Sequence, residues 1–371
     1  MSAGIAIQLS SADNAFFEGL VRSVLNGARL LRVTPLKADT GVDGGTLKGA
    51  GYGTPIRLDV AHAGRVRSLV LHTASSNDFG HDRRADRAAE MLLAADTFPL
   101  LPNHVLALDV GAYRSGGGFV SLRDSGEFYL LTSYAEGQPY VDDLRRVALE
   151  RRAEPLDLAR VELLAEYLVR LHQDKLEQPS AYTRSIRDLV GGGEGIFGIV
   201  DAYPERTPGV SQQRLLEIEQ GCLSWRERLK RKSDRLRRIH GDFHPFNLLF
   251  DPSNQLLLLD ASRGSAGDPA DDVTALTINY LFFALESPAA WQDGFRPLWQ
   301  RFWDVYLQSA SDAELATVLA PFFCWRALVL ACPRWYPDAS AVTRDRLLSF
   351  AERLLAGEPF RPRQADELFA H

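Results

Sequence analysis

Residues 239–247, with the sequence IHGDFHPFN, most constrain what this chain can fold into, because they place polar side chains between apolar flanks. Residues 248–259 then read as a strand hairpin with an Asp-Pro-Ser-Asn turn, and Asp260 lies directly after its second strand. We expect the hairpin to bring Asp260 close to Asp242 and Asn247. Two carboxylates and an amide oxygen suit a hard cation such as Mg²⁺, and phosphoryl transfer needs such a site plus a carboxylate that orients the attacking hydroxyl.

The spacing of these residues is more specific than their types. His-x-Asp-x-x-x-x-Asn, followed by an Asp after the next hairpin, is the catalytic-loop pattern of protein kinases. The form found here, with Gly-Asp-Pro-Ala-Asp-Asp at residues 267–272, resembles the aminoglycoside phosphotransferase and choline kinase branch of that fold. The resemblance implies that Asp242 is the catalytic base and that Asn247 and Asp260 are the metal ligands.

The same resemblance implies a supporting role for two further residues, His240 and Asp268, beside the catalytic loop. His172, at the end of a predicted helix over residues 158–173, is expected to support the loop from beneath. An alternative interpretation is an exposed polar turn between two strands, in which Asp260 only caps the next segment of the chain.

Composition sets broad limits on the class of protein. The chain has 371 residues, enough for two lobes, and its net charge of −6 makes it a poor candidate for wrapping nucleic acid. Its three cysteines are too few and too scattered for a disulfide framework. The first eleven residues lack a signal-peptide pattern, and no apolar run has the length to cross a bilayer. We therefore expect a cytoplasmic enzyme with no nucleic-acid or membrane partner.

The densest glycine cluster lies at residues 44–53, ahead of two predicted strands. Glycine-rich hairpins leave backbone N–H groups free to approach phosphate, although most such turns only reverse the chain. In front of a catalytic loop, the cluster matches the nucleotide-covering loop of a kinase. The resemblance thus assigns nucleotide binding to Gly49, Gly51 and Gly53.

The strand over residues 66–73 departs from the family pattern. It carries His72 near its end, where relatives have a lysine or arginine that holds the nucleotide phosphates. Histidine is only partly charged at neutral pH, so it would hold phosphate less firmly unless an acid raises its pKa. Glu90, on a predicted helix over residues 81–96, is the expected partner, with Asp86 as an alternative. His72 without any phosphate role is the other interpretation.

Further strands are predicted at residues 105–110, 119–122 and 127–132, and the last breaks into a Gly/Pro turn that suits an interlobe hinge. The resemblance implies that the backbone of Tyr134 and Ala135 binds adenine. We predict an α+β, bilobed protein-kinase-like fold. Residues 1–136 would form an antiparallel five-stranded N-lobe, and residues 137–371 a mostly helical C-lobe.

Residues 182–208 are expected to form an irregular, glycine-rich insert that shapes the acceptor pocket. Asp271 or Asp272 could meet a cationic acceptor, with helix capping as the alternative. Arg263, near the position where many relatives have an aromatic residue, could reach phosphate or the acceptor.

The predicted function is transfer of the γ-phosphoryl group of ATP to a hydroxyl of a small molecule, with ATP and Mg²⁺ as cofactors. The first alternative is a pseudokinase-like binding module without phosphoryl transfer, motivated by His72 and by the missing aromatic residue after Asp260. The second is transfer of a nucleotidyl group. The sequence leaves the acceptor, the choice of ATP or GTP, and the oligomeric state open.

Overall fold

A computed structural model describes residues 11–36 and 55–369. Its contacts divide the chain into two compact units, Met1–Thr132 and Ser133–His371. The lobe boundary predicted from the sequence lies slightly later, after Glu136. The predicted nucleotide-covering glycines, Gly49, Gly51 and Gly53, lie outside the described residues.

The first unit joins a small antiparallel sheet to a helix through one apolar core. Its elements are α1 (Ser11–Val24), β1 (Arg29–Pro35), β2 (Ile56–His62), β3 (Arg65–Leu71), α2 (Arg84–Thr97), β4 (Gly111–Tyr113) and β5 (Phe119–Ser121). Ile56, Leu58 and Val60 alternate along β2 and are buried, as are Phe17 and Val21 of α1. Period-two alternation on the strand therefore places one face of the sheet in the core with the helix.

The expected five-stranded sheet is not found among the described residues. Strands β1, β2 and β3 form one three-stranded antiparallel sheet, and β4 and β5 form a separate hairpin. The predicted strands at residues 105–110 and 127–132 belong to no ladder, and Leu130 and Leu131 are each 88% exposed. An apolar, β-prone segment becomes a strand only when a neighbour supplies its hydrogen bonds, and sequence pattern does not reveal that neighbour.

The second unit is mostly helical, as predicted. Its elements are β6 (Gln138–Pro139), α3 (Tyr140–Glu150), α4 (Pro155–His172), α5 (Pro179–Gly191), α6 (Ile196–Asp201), α7 (Gln212–Leu229), β7 (Arg237–Arg238), β8 (Leu248–Phe250), β9 (Leu256–Leu258), β10 (Ala266–Gly267), α8 (Pro269–Glu286), α9 (Arg296–Ser309), α10 (Ala320–Ala331) and α11 (Ala341–Leu355). Helix α8 is almost completely buried, and α10 is buried along most of its length. Two buried helices give the unit a rigid centre.

The prediction of an irregular insert at residues 182–208 is wrong. Helices α5 and α6 occupy much of this range, and Tyr182, Ile186 and Leu189 form a buried stripe along α5. This spacing of four and then three residues is helical. The glycines at 191–195 gave the stretch its irregular appearance, but they only separate two helices.

The predicted hairpin after the catalytic loop is confirmed as β8 and β9. Leu248 pairs with Leu258, and Phe250 pairs with Leu256. The Asp251 carboxylate closes the turn by accepting the backbone N–H groups of residues 253 and 255, both at 2.8 Å. Because β7 pairs with β10 before the loop and β6 pairs with β8 after it, residues 239–247 are framed by two ladders.

Asp268 begins α8 and joins a buried ion network. Its carboxylate accepts the N–H of Ala270 at 3.0 Å, the hydroxyl of Tyr182 at 2.8 Å, and two donors of Arg235 at 2.8 and 2.9 Å. Arg235 also contacts Asp312 at 2.6 Å. Asp268 thus caps a helix and compensates a buried guanidinium.

Replacing Asp268 with alanine should lower the free energy of unfolding by about 3–5 kcal/mol, since it leaves a buried arginine without its main partner. The matched variant Asp312→Ala should cost about 1 kcal/mol, because Asp312 is more exposed and water can replace it. Urea unfolding followed by tryptophan fluorescence measures both, since all six tryptophans lie in the second unit. Equal losses for the two variants would contradict this account.

Candidate active site

The catalytic loop is held by the Asp272 carboxylate, which is completely buried in the first turn of α8. Oδ2 accepts the backbone N–H of His240 at 2.7 Å, and Oδ1 accepts that of Gly241 at 2.8 Å. Charge-assisted bonds to buried backbone donors are strong, and breaking them would leave the donors unsatisfied. The anchor therefore fixes the backbone just before Asp242.

His172 lies behind this anchor, consistent with the expected support from beneath. Its Nε2 lies 3.1 Å from Asp272 Oδ2, and its Nδ1 lies 2.7 Å from the hydroxyl oxygen of Tyr306. A neutral ring with its proton on Nε2 donates to the carboxylate and accepts from the tyrosine. This chain of contacts links α4 and α9 to the loop.

Gly241 adopts a conformation that suits glycine. Its φ is +84°, and a Cβ at this position would lie 2.7 Å from the carbonyl oxygen of Gly264. The left-handed backbone turns the chain so that Asp242 follows directly on the anchored segment. His240 supports the same turn, because its Nδ1 accepts the Asp242 N–H at 3.3 Å.

Asp242 is surrounded by donors and cations. Arg326 Nη1 lies 2.6 Å from Oδ1, and Arg263 Nε lies 3.9 Å from the same oxygen. Asn247 Nδ2 donates to the Asp242 carbonyl at 3.0 Å and to Oδ2 at 3.3 Å. His244 Nε2 lies 3.4 Å from Oδ2. The carboxylate is thus held in one orientation from several sides.

These contacts decide the charge of Asp242. Burial would raise the pKa of its carboxyl, but the hydrogen bond with His244 and the charges of Arg326 and Arg263 outweigh that effect and hold the pKa well below its ordinary value. The group is therefore ionised at neutral pH. In that state it can accept a hydrogen bond from a hydroxyl.

Arg326 also binds Asp271, whose pKa is raised, whereas the pKa of Asp242 is lowered. Its Nη2 donates to Asp271 Oδ1 at 2.8 Å and lies 3.3 Å from the carbonyl oxygen of Gly241. Burial raises the pKa of Asp271 to about 6, against the lowering effect of Arg326. Two carboxyls on one guanidinium therefore have separated pKa values, which is common in active sites.

Asn247 and Asp260 offer oxygen donors at the base of the hairpin. The Leu259 N–H donates to the Asn247 carbonyl at 2.9 Å, which brings Asp260 next to the loop. With the Asn247 amide nitrogen engaged by Asp242, its oxygen is available as a ligand. Asp260 has a φ of +47°, and hydrogen bonds from Ser262 lower the pKa of its carboxyl.

This donor set fits a magnesium ion that is shared with phosphate. Magnesium sites in phosphotransferases use one or two side-chain oxygens and complete their shell with phosphate and water. In the described part of the chain, no three His, Cys, Asp or Glu side chains are placed together to hold a metal ion. A dedicated all-protein cage is therefore not found among these residues.

The remaining predicted site residues make other contacts within their own units. Asp268 contacts Arg235 and the α8 terminus, and its hydrogen bonds do not reach residues 239–247. In the first unit, His72 is exposed, with no hydrogen bond or ion pair among the described residues. The carboxylate of Glu90 lies 3.0 Å from His81 Nε2, so the predicted pairing of Glu90 with His72 is wrong.

The predicted adenine-binding segment lies at the start of the second unit. Tyr134 is 89% exposed and Ala135 is half-buried. They precede β6, whose Gln138 pairs with Phe250 of β8. The segment therefore enters the ladder that also frames the catalytic loop.

Sequence reasoning missed Arg326 and its neighbour Trp325. The guanidinium carbon of Arg326 lies 3.9 Å from the centroid of the Trp325 ring, and that of Arg263 lies 4.4 Å from it. A signal was present, because Arg326 is a single charge inside the apolar run PFFCWRALVL. Arginine in a buried helix needs a charged partner, although the sequence does not say which.

A family model described as the phosphotransferase enzyme family matches residues 61–308. The chain belongs to this family. It is a phosphotransferase with an alcohol acceptor, and the resemblance seen in residues 240–272 is confirmed. No curated protein matched the chain. Over residues 11–36 and 55–369, no helix is long and apolar enough to span a bilayer.

Several solved structures are similar to this phosphotransferase. Choline kinase LicA from Streptococcus pneumoniae has 14% identity, with 94% of this chain and 100% of that chain covered and a TM-score of 0.36. The aminoglycoside phosphotransferase APH(3'')-Id from Streptomyces rimosus has 17% identity, coverages of 84% and 98%, and a TM-score of 0.33. A glucosamine kinase has 14% identity, coverages of 93% and 98%, and a TM-score of 0.41. The family match, and not these superpositions, decides the classification.

Gly241→Ala should reduce turnover by about 100-fold, because a displaced loop misplaces Asp242, the predicted base. The matched control is Gly357→Ala, which has a φ of +99° but no heavy atom within 4 Å of the added Cβ. Both variants should lose about 1–2 kcal/mol of stability from left-handed strain, but Gly241→Ala should lose more because of its backbone clash, and only Gly241→Ala should lose activity. Steady-state rates and urea unfolding of both proteins test this. Full activity of Gly241→Ala would show that the loop tolerates the clash.

Proposed function

We propose that this phosphotransferase moves the γ-phosphoryl group of ATP to a hydroxyl of a small molecule, with Asp242 as the base. The observation that carries the proposal is the ionised Asp242 carboxylate, fixed by Arg326, Asn247 and the anchored backbone before it. A kinase-like bilobed arrangement, implied by the family resemblance, is part of the proposal.

Asp242 would orient the acceptor hydroxyl and receive its proton as the new bond to phosphorus forms. Its lowered pKa makes it a weak base, which suits a loose transition state in which the proton leaves late. The main contribution of Asp242 is then positioning and negative charge beside the hydroxyl. Arg326 maintains that charge by keeping the carboxyl ionised in a partly buried place.

Asn247 and Asp260 would hold Mg²⁺ through the amide oxygen and the carboxylate. When bound, the ion neutralises charge on the β- and γ-phosphates. The Asn247 side chain contributes further because its amide nitrogen holds Asp242, so one residue aligns the base and presents the metal ligand.

Nucleotide binding is proposed for a larger set of residues. The backbone around Tyr134 and Ala135 would bind adenine, and His72 would serve the phosphates without the expected pairing to Glu90, which contacts His81 instead. The glycine-rich segment would add the backbone N–H groups of Gly49, Gly51 and Gly53. Two of the similar solved structures, of LicA with AMP and of APH(3'')-Id with ADP and streptomycin, support nucleotide use in similar proteins.

Asp242→Asn should lower turnover by about 10²–10⁴-fold, since the amide cannot accept the proton. ATP affinity should change by less than about twofold, because the variant keeps the shape of the side chain. The matched control is Asp304→Asn, an exposed aspartate on α9 that should behave as wild type. Coupled ADP-release assays and calorimetry measure both quantities. Unchanged turnover would remove Asp242 from the mechanism, and tight ATP binding without turnover in the wild type would favour the binding-module alternative.

Asp260→Ala should weaken ATP binding by about tenfold when Mg²⁺ is present and leave binding unchanged when the metal is chelated, because one metal ligand is lost. Isothermal calorimetry with and without Mg²⁺ separates the two conditions. Equal weakening in both would show that Asp260 does not act through the metal.

A further inference from the structure

Three acidic side chains at the start of α8 are engaged by this chain's own donors. Asp272 accepts two backbone N–H groups and contacts His172, and Asp271 accepts from Arg326. Asp268 binds Arg235 away from the loop. Each of these three carboxylates therefore already compensates donors of the protein itself, which disfavours it as the main partner of an ammonium group on the acceptor.

Arg263, in contrast to these carboxylates, has no hydrogen-bonding partner among the described residues. Its side chain is only 25% exposed, yet none of its guanidinium N–H groups makes a hydrogen bond with the described residues. Its carboxylate contacts are long, at 3.9 Å to Asp242 Oδ1 and 3.6 Å to Glu194 Oε2, and Glu194 is 79% exposed. A guanidinium has five N–H donors, and because those of Arg263 hold no acceptor among the described residues, they are open to a ligand.

The position of Arg263 is fixed beside the base. The turn that contains it closes with a bond from Gly264 N–H to the Ala261 carbonyl, and the guanidinium carbon lies 4.4 Å from the centroid of the Trp325 ring. Stacking on an aromatic ring leaves the edge of the guanidinium, where the N–H groups lie, free to bind a planar or tetrahedral anion. Trp325 is itself held by its Nε1–H, which donates to the Glu194 carbonyl at 3.0 Å.

We propose that Arg263 binds an anionic substituent, a carboxylate or a phosphate ester, on the acceptor whose hydroxyl meets Asp242. The inference rests on the proposed function and names the class of acceptor. The exposed Glu194 carboxylate is displaced from Arg263 when the anion binds, because an exposed ion pair at this distance is weak. The acceptor is then a hydroxy acid, a sugar acid or a hydroxylated phosphate ester.

The test is a panel of matched acceptors in a coupled ADP-release assay, with products identified by mass. Glycerol is paired with glycerate and glycerol phosphate, glucose with gluconate, and choline serves as the cationic probe. The anionic member of at least one pair should exceed its neutral parent by about tenfold or more in kcat/KM, the gain expected of a charge-assisted bidentate bond. Choline should not be phosphorylated.

Variants of Arg263 test whether this residue causes the preference for anionic acceptors. Arg263→Met should raise KM for the anionic acceptor by about tenfold or more and bring the anion-to-neutral ratio near one, and Arg263→Lys should restore part of it. Arg353→Met, on α11 and paired with Glu367, is the matched control and should keep the ratio. Glu194→Gln should leave the ratio intact or increase it.

Three results would overturn the inference. The first is an equal fall in kcat for every acceptor in Arg263→Met, which would place Arg263 on the transferred phosphoryl group. The second is a preference for choline that Glu194→Gln removes. The third is the absence of any phosphorylated anionic product while ATP is bound and slowly hydrolysed. Absence of both ATP binding and hydrolysis would instead refute the proposed function.

Discussion

The buried carboxylate of Asp272 is the contact on which the active-site geometry depends. It joins the N-terminus of α8 to the backbone of the catalytic loop, and through His172 it reaches α4 and α9. A negative charge in the first turn of a helix is favoured by the helix dipole, and the two backbone donors satisfy it further. The GDPADD segment thus stabilises the helix start and the loop at once.

A second long-range contact determines the charge states of Asp242 and Asp271. Arg326 comes from α10 and reaches Asp242, Asp271 and the Gly241 carbonyl. Paired carboxyls with unequal surroundings titrate apart, and Asp242 keeps its charge. Because α10 is buried in the unit's core, packing far from the loop holds Arg326 beside the Asp242 carboxylate.

Local features of the site could be predicted from the sequence, because they depend on residues close together in the chain. The loop, its hairpin and the placement of Asn247 and Asp260 follow from turn chemistry and motif spacing over about twenty residues. His172 was also predicted, since its helix ends in a recognisable pattern. Arg326 was not, because its partner lies far away in the chain and a single sequence carries no signal of that pairing.

The wrong prediction of strand pairing has the same cause. Strand pairing is a long-range property, so a five-stranded sheet was expected where the described residues contain a three-stranded sheet and a separate hairpin. Glycines at 191–195 suggested irregular structure, although the apolar spacing of α5 indicated a helix. Where glycine content and periodicity disagree, the periodicity of buried side chains is the stronger guide.

Phosphorus NMR of the wild-type enzyme with ATP, Mg²⁺ and the acceptor panel distinguishes the possible transfer reactions in one experiment. We expect the ATP signals to be replaced by those of ADP together with a new phosphomonoester resonance. AMP with pyrophosphate would contradict this expectation by showing nucleotidyl transfer, and bound but unconsumed ATP would contradict it by showing that the Asp242 site does not transfer phosphate.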